Sequence, residues 1–226
     1  MTQVQTETGE KRLVHVQTGM VTLTGDLVVP EGASGVVLFA HGSGSSRLSP
    51  RNRSVARGLS ERGLATLLID LLTAEEERVD VETAHLRFDI GLLADRLAGA
   101  KEWLAKQPET RDLRIGYFGA STGAAAALVA AALHPESIGA VVSRGGRPDL
   151  AGKLLPRVQA PTLLIVGGDD RPVIEMNRDA FAQLTCKKRL EIVPGATHLF
   201  EEPGALEAVA RLAGDWLLQH LAPPKR

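Results

Sequence analysis

The pentapeptide Gly119-Ala120-Ser121-Thr122-Gly123 constrains this chain more than any other stretch. It reads Gly-x-Ser-x-Gly. An apolar strand pattern precedes it (Leu113, Ile115, Tyr117, Phe118), and an alanine-rich helix pattern follows from Ala124 to about Leu133. A strand, a sharp turn and a helix is the context in which this pattern carries chemistry. The turn forces the serine into a strained backbone, and only small flanking residues allow strand and helix to approach so closely. The hydroxyl then projects at the carboxyl edge of a sheet, beside a helix N-terminus that favours developing negative charge. The competing reading of the pentapeptide alone is a glycine-flanked serine that caps a helix.

The surrounding chain reads as alternating strands and helices. Leu13-Val14-His15-Val16 and Val21 to Val29 form two strands joined by a turn near Thr18-Gly19, and the second alternates as a half-exposed antiparallel strand does. The continuous apolar run Val36–Ala40 reads as a buried parallel strand, Ala65–Asp70 and Thr162–Val166 as further buried strands, Ile138–Ser143 as a strand between them, and Leu190–Val193 as the last strand. Helices are expected over about Arg51–Arg62, Ala84–Lys106, Pro172–Leu184 and Gly204–Leu221, the last stopped by Pro223-Pro224. The acidic stretch Thr73–Thr83 is expected to be a solvated loop. This pattern predicts a mainly parallel sheet of about seven or eight strands. Helices cover both faces, the N-terminal edge is antiparallel and no lid domain is inserted. One domain spans 1–226, with residues 1–10 as a flexible tail.

Composition narrows the function. With 226 residues the chain can bury a sizeable core. A net charge of −1 argues against nucleic acid or an anionic membrane as partner, and the arginines Arg47, Arg51, Arg53 and Arg57 read as a solvated helix start. Cys186 is the single cysteine, so neither an internal disulfide nor a cysteine-rich zinc site is expected. No metal-ligand spacing, phosphate loop or dinucleotide fingerprint stands out, and no cofactor is expected. The polar N-terminus lacks an apolar leader core and no run reaches membrane-spanning length, so the expected location is cytoplasmic.

Four loops at carboxyl ends of strands hold the chemistry-bearing residues: 41–46, 119–123, 167–170 and 194–198. A serine needs a base to take its proton, and a histidine base needs a carboxylate to fix its tautomer. Of six histidines, only His198 lies in a loop after the last strand, among small residues. Asp170 follows a buried strand, with Asp169 as its neighbouring rival and Asp149 as an outside alternative. His41 reads as a structural histidine that braces its loop.

The order Ser121, Asp170, His198 resembles that of the α/β-hydrolases, and within them the chain is similar to the lid-free dienelactone-hydrolase-like group. His41-Gly42-Ser43-Gly44 resembles the family's oxyanion loop, and Gly119–Gly123 its nucleophile elbow. Gly168-Asp169-Asp170-Arg171-Pro172-Val173 resembles its acid loop, and Gly195-Ala196-Thr197-His198 its histidine loop. The resemblance covers the chain from about residue 20 onward. It implies that Ser121 attacks an ester carbonyl with His198 as base and then acid, the oxyanion being held by the N–H groups of Thr122 and of Ser43 or Gly44. Dienelactone hydrolases proper carry a cysteine where Ser121 stands, and the serine points to general carboxylic esters. Arg144 and Arg147 could bind a substrate carboxylate bidentately, but ion pairs to the acidic loop or Asp149 are the expectation. Phe200 and Phe88 are candidate pocket walls. The expected partner is a small-molecule ester, and the chain is expected to be a monomer or homodimer. The reading is a serine esterase working through an acyl-enzyme. Lactone opening or acyl transfer by the same residues, and a non-catalytic binding module, are the alternatives.

Overall fold

A computed structural model describes residues 9–222. Most of the expected N-terminal tail, and the prolines expected to stop the last helix, lie outside the described residues. Eight strands form one sheet in the order β1-β2-β4-β3-β5-β6-β7-β8, where β1 is Arg12–Thr18, β2 Val21–Val28, β3 Val36–Ala40, β4 Ala65–Ile69, β5 Ile115–Ala120, β6 Ala140–Arg144, β7 Thr162–Gly167 and β8 Lys188–Val193. β1 pairs antiparallel with β2, and β2 antiparallel with β4. All remaining pairs are parallel. This is the sheet that the resemblance to α/β-hydrolases implies.

The central strands are buried along their whole length, which is why they read as unbroken apolar runs. Their side chains still alternate. Val36, Leu38 and Tyr117 join one core with α3 (Ile90–Leu104) and α4 (Thr122–Leu133). Val37, Phe39 and Phe118 join the other with α1 (Pro50–Ser60) and α6 (Ala205–Leu221). The rings of Phe39 and Phe118 stack 4.8 Å apart on that second face. α4 is buried on every side from Thr122 to Ala132, and its alanines let it lie deep between its neighbours.

Chain order reverses between β3 and β5. From β3 the chain crosses to β4 on one side, and after α3 it returns to start β5 on the other. The loops leaving β3 and β5 therefore open side by side at the carboxyl edge, with Ala40 paired to Gly119. Such a crevice is where open α/β sheets place their ligand sites.

Two expectations are corrected. The stretch after Thr73 is a helix, α2 (Ala74–Thr83), and no solvated loop. Thr73 and Glu76 form a reciprocal capping box, and Glu75, Glu76 and Glu77 occupy the first turn, where the helix dipole favours acids. The expected long helix from Ala84 is broken. Ala84 adopts a left-handed conformation (φ 51°), a 3-10 turn covers Leu86–Phe88, and α3 begins only at Ile90, capped by Asp89. Between β6 and β7 lies a 3-10 segment, Pro148–Arg157, kinked at Gly152. Among the described residues no helix is long and apolar enough to cross a membrane.

Candidate active site

Ser121 lies between β5 and α4 with φ 50° and ψ −122°, a conformation that costs a non-glycine residue on the order of 1–3 kcal/mol. Its surroundings hold it there. Its N–H donates to the Arg144 carbonyl at 3.4 Å, and its own carbonyl accepts from Ala124 and Arg147, each at 3.1 Å. The two flanking glycines serve close approach. A Cβ on Gly119 would sit 2.4 Å from the Ala124 Cα, and one on Gly123 would sit 2.3 Å from the Ala40 carbonyl oxygen. The first glycine seats α4 against β5, and the second seats it against the end of β3.

The loop after β3 is tied down by polar contacts. Leu71 donates its N–H to His41 Nε2 at 3.0 Å, which leaves the ring proton on Nδ1, donated to the Gly42 carbonyl at 2.9 Å. Burial lowers the His41 pKa, opposed in part by the Gly42 carbonyl and the nearby Asp70 and Glu77 carboxylates. The ring is thus a neutral brace. Arg47 fixes the far end of the loop, donating to both Asp70 oxygens from its N–H at 2.8 Å and its guanidinium at 2.6 Å.

His198 donates from Nδ1 to Asp170 Oδ2 at 2.6 Å. A carboxylate accepts only, so in the neutral ring this contact places the proton on Nδ1 and makes Nε2 the acceptor. Asp170 occupies the N-cap of α5 (Arg171–Gln183), yet its side chain makes no capping hydrogen bond and is turned to His198 instead. Its neighbour Asp169 is held through its backbone, which donates to the Ala196 carbonyl at 3.0 Å. Glu202 accepts from both the N–H and the hydroxyl of Thr197 and so fastens the histidine loop.

Ser121 and His198 line one cavity of about 240 Å³, together with Gly42, Ser43, Ser45 and Arg144. Among the described residues there is no hydrogen bond between the Ser121 hydroxyl and His198, a contact that often tightens only with substrate bound. The Thr122 N–H is the first of α4 and has no carbonyl one turn back to bond. The Ser43 N–H is engaged, donating to Thr122 Oγ1 at 2.9 Å.

The remaining candidates divide. Arg147 forms a two-pronged pair with Asp149, at 2.9 and 2.7 Å, the partner expected for it. Arg144 has no carboxylate partner among the described residues. It is 6% exposed, donates to Asn52 Oδ1 at 3.0 Å, and lies 5.7 Å over the Phe200 ring. Its buried Nε has no partner. Burial, aided by the neighbouring Arg51 cation, brings its pKa down to about 10, so it remains charged at neutral pH. Phe200 is fully buried and forms a platform beneath Arg144, and Phe88 is exposed in its 3-10 turn away from the cavity lining. Arg51, Asn52 and Leu199 also line the cavity. The sequence offered no motif for Asn52 or Leu199, although Leu199 directly follows His198, and two arginines depart from the solvated helix start expected of them, Arg51 at the cavity wall and Arg47 paired with Asp70.

The family model for the dienelactone hydrolase family matches residues 23–218. The crystal structure of a dienelactone hydrolase from Anabaena variabilis is 66% identical, with a TM-score of 0.92 over 94% of this chain and 98% of that one. A Mycobacterium tuberculosis protein named putative phosphoribosyl transferase is 60% identical over 93% of this chain. This chain spans 47% of that relative's length. A cold-adapted esterase from an Arctic intertidal metagenomic library shares the fold at 21% identity, with a TM-score of 0.72 over 95% of this chain and 97% of that one.

Proposed function

The chain belongs to the dienelactone hydrolase family, and we propose that it hydrolyses small carboxylic esters through an acyl-enzyme on Ser121. The observation that carries this reading is the 2.6 Å contact between His198 Nδ1 and Asp170, in the loop that brings His198 to the same cavity as the strained Ser121. In the proposed sequence, His198 Nε2 takes the Ser121 proton as Oγ bonds to the ester carbonyl carbon. The carbonyl π pair moves to oxygen, forming an oxyanion at the N-terminus of α4. Collapse expels the alkoxide, which receives the proton from His198. Water then repeats the sequence on the acyl-enzyme and releases the acid. Asp170 keeps its hydrogen bond from Nδ1 throughout and stabilises the imidazolium.

Arg144 supports a narrower choice within this class. A buried cation without a carboxylate partner favours a substrate that brings its own negative group, in the acyl or the alcohol part. Lactones of this kind enter by the same chemistry.

The test is hydrolysis of 4-nitrophenyl esters from acetate to decanoate by the parent and Ser121→Ala, with fluorophosphonate labelling of both. Activity and labelling in the parent, both absent from the variant, are the expected result. Ester hydrolysis that survives in Ser121→Ala would sink the assignment, and a parent that neither labels nor turns over would favour a binding module.

A further inference from the structure

An oxyanion at Ser121 needs two N–H donors, and this structure has one of them occupied. Ser43 donates its N–H to the Thr122 hydroxyl at 2.9 Å. Thr122 is 3% exposed and borders a small second cavity behind the oxyanion loop, with His41, Glu77 and Arg87. It does not line the cavity that holds Ser121 and His198, whereas Ser43 lines both. The Ser43 amide is therefore drawn to the rear of the loop by a side chain of the elbow itself. Glycines flank Ser43 on either side. Gly44 has φ +67° and open space where a Cβ would be, but the peptide that carries the Ser43 N–H is held at its other end, where the Gly42 carbonyl accepts from His41 Nδ1 at 2.9 Å and from the Ser45 N–H at 3.2 Å, so the Thr122 hydroxyl is the partner that gives way.

We infer that the Thr122 hydroxyl is an internal competitor for the second oxyanion donor, one that yields to a full negative charge and not to a neutral carbonyl. The inference rests on the reading of Ser121 as nucleophile. A hydroxyl and an ester carbonyl are both neutral acceptors, so exchanging one for the other gains nothing when substrate binds. A charged acceptor makes a hydrogen bond roughly twice as strong. The Ser43 amide then changes partner only as the tetrahedral intermediate forms, and its full strength acts on the transition state. The cost is the resting hydrogen bond that has to be given up. Thr122 thus has two opposed parts: its N–H serves the oxyanion, and its hydroxyl holds the second donor back.

Removing the hydroxyl separates these parts. Thr122→Val, with Thr122→Ala in reserve should the valine variant fail to fold, is compared with the parent and Thr122→Ser. The readouts are kcat/KM on 4-nitrophenyl acetate and Ki for an aliphatic trifluoromethyl ketone, whose carbonyl takes up a serine oxygen to give a stable oxyanion. In the hydroxyl-free variant kcat/KM rises, and Ki falls, by about fivefold, one neutral hydrogen bond's worth. Thr122→Ser keeps an acceptor and tracks the parent. A structural role for Thr122 cannot produce a gain. A loss in the hydroxyl-free variant, with Thr122→Ser tracking the parent, would mean that Thr122 holds Ser43 in working position, and would overturn the inference. Unchanged values would overturn it too. A parent that shows neither turnover nor fluorophosphonate labelling would remove the nucleophile reading and this inference together.

Discussion

Asp170 stands where an aspartate ordinarily turns to its own helix, at the N-cap of α5, yet it gives its carboxylate to His198. Proline at the second position of α5 fixes the start of that helix without a side-chain cap, which leaves the carboxylate available. Replacement by asparagine keeps size and shape but can offer the imidazole the wrong partner atom. Asp170→Asn is expected to lower kcat on 4-nitrophenyl esters by about a thousandfold or more, while Asp169→Asn stays within a few-fold of the parent. Equal losses in both would move the acid role off Asp170. The choice between these adjacent aspartates was not legible in the sequence, because loop register decides which one faces the histidine. The engagement of Ser43 by Thr122 was invisible for a similar reason. It joins residues 79 positions apart through a rotamer that no spacing announces.

At the scale of elements, the buried strands and the elbow were legible because burial on both faces leaves long apolar runs, and close approach leaves glycines. α2 was not. Its only buried residue is Asp80, so no apolar face marks it as a helix. It is held by charge instead. Asp80 accepts from the Leu86 N–H at 2.6 Å, the Arg87 N–H at 3.1 Å and the Arg87 side chain at 2.5 Å, and Arg96 pairs with Glu76 at 2.6 Å. Burial raises the Asp80 pKa, but the Arg87 side chain and the two N–H groups outweigh it and hold the carboxyl below its ordinary value. A depressed carboxylate pKa stabilises the fold above the unfolded-state value, about 3.9, and that contribution is lost as pH falls through the folded value. Melting temperature measured from pH 7 down to pH 3 is expected to fall more steeply below about pH 4 in the parent than in Asp80→Asn, which starts lower at pH 7. Parallel curves would show that this cluster carries no pH-dependent stability. Glu77 and Arg87 reach the small cavity behind the oxyanion loop, so loosening α2 also loosens the rear wall of the site.

Over the whole molecule, the sheet order gathers loops from β3, β5, β6, β7 and β8 at one carboxyl edge, and the charge there differs from that of the chain. The chain carries a net charge of −1, which gives no reason to expect an anion in the site. The cavity itself holds Arg144 and Arg51, the latter paired with Glu201 at 3.0 Å and the former with no carboxylate among the described residues. Folding has buried a guanidinium beside the nucleophile and, among the described residues, matched it with the Asn52 amide oxygen and the Phe200 face. Burying an unpaired charge is costly, and a substrate anion that meets it recovers part of that cost in a setting where salt screens poorly. The prediction compares a neutral acetate ester with the hemisuccinate ester of the same alcohol. In the parent kcat/KM favours the hemisuccinate, and in Arg144→Met that preference falls by about tenfold or more, while turnover of the acetate changes far less. Methionine fills comparable space over Phe200 without the charge, so a loss confined to the anionic ester isolates recognition from packing. Equal losses on both esters would assign Arg144 to holding α1 against the site through Asn52. An unchanged preference would return the site to neutral esters.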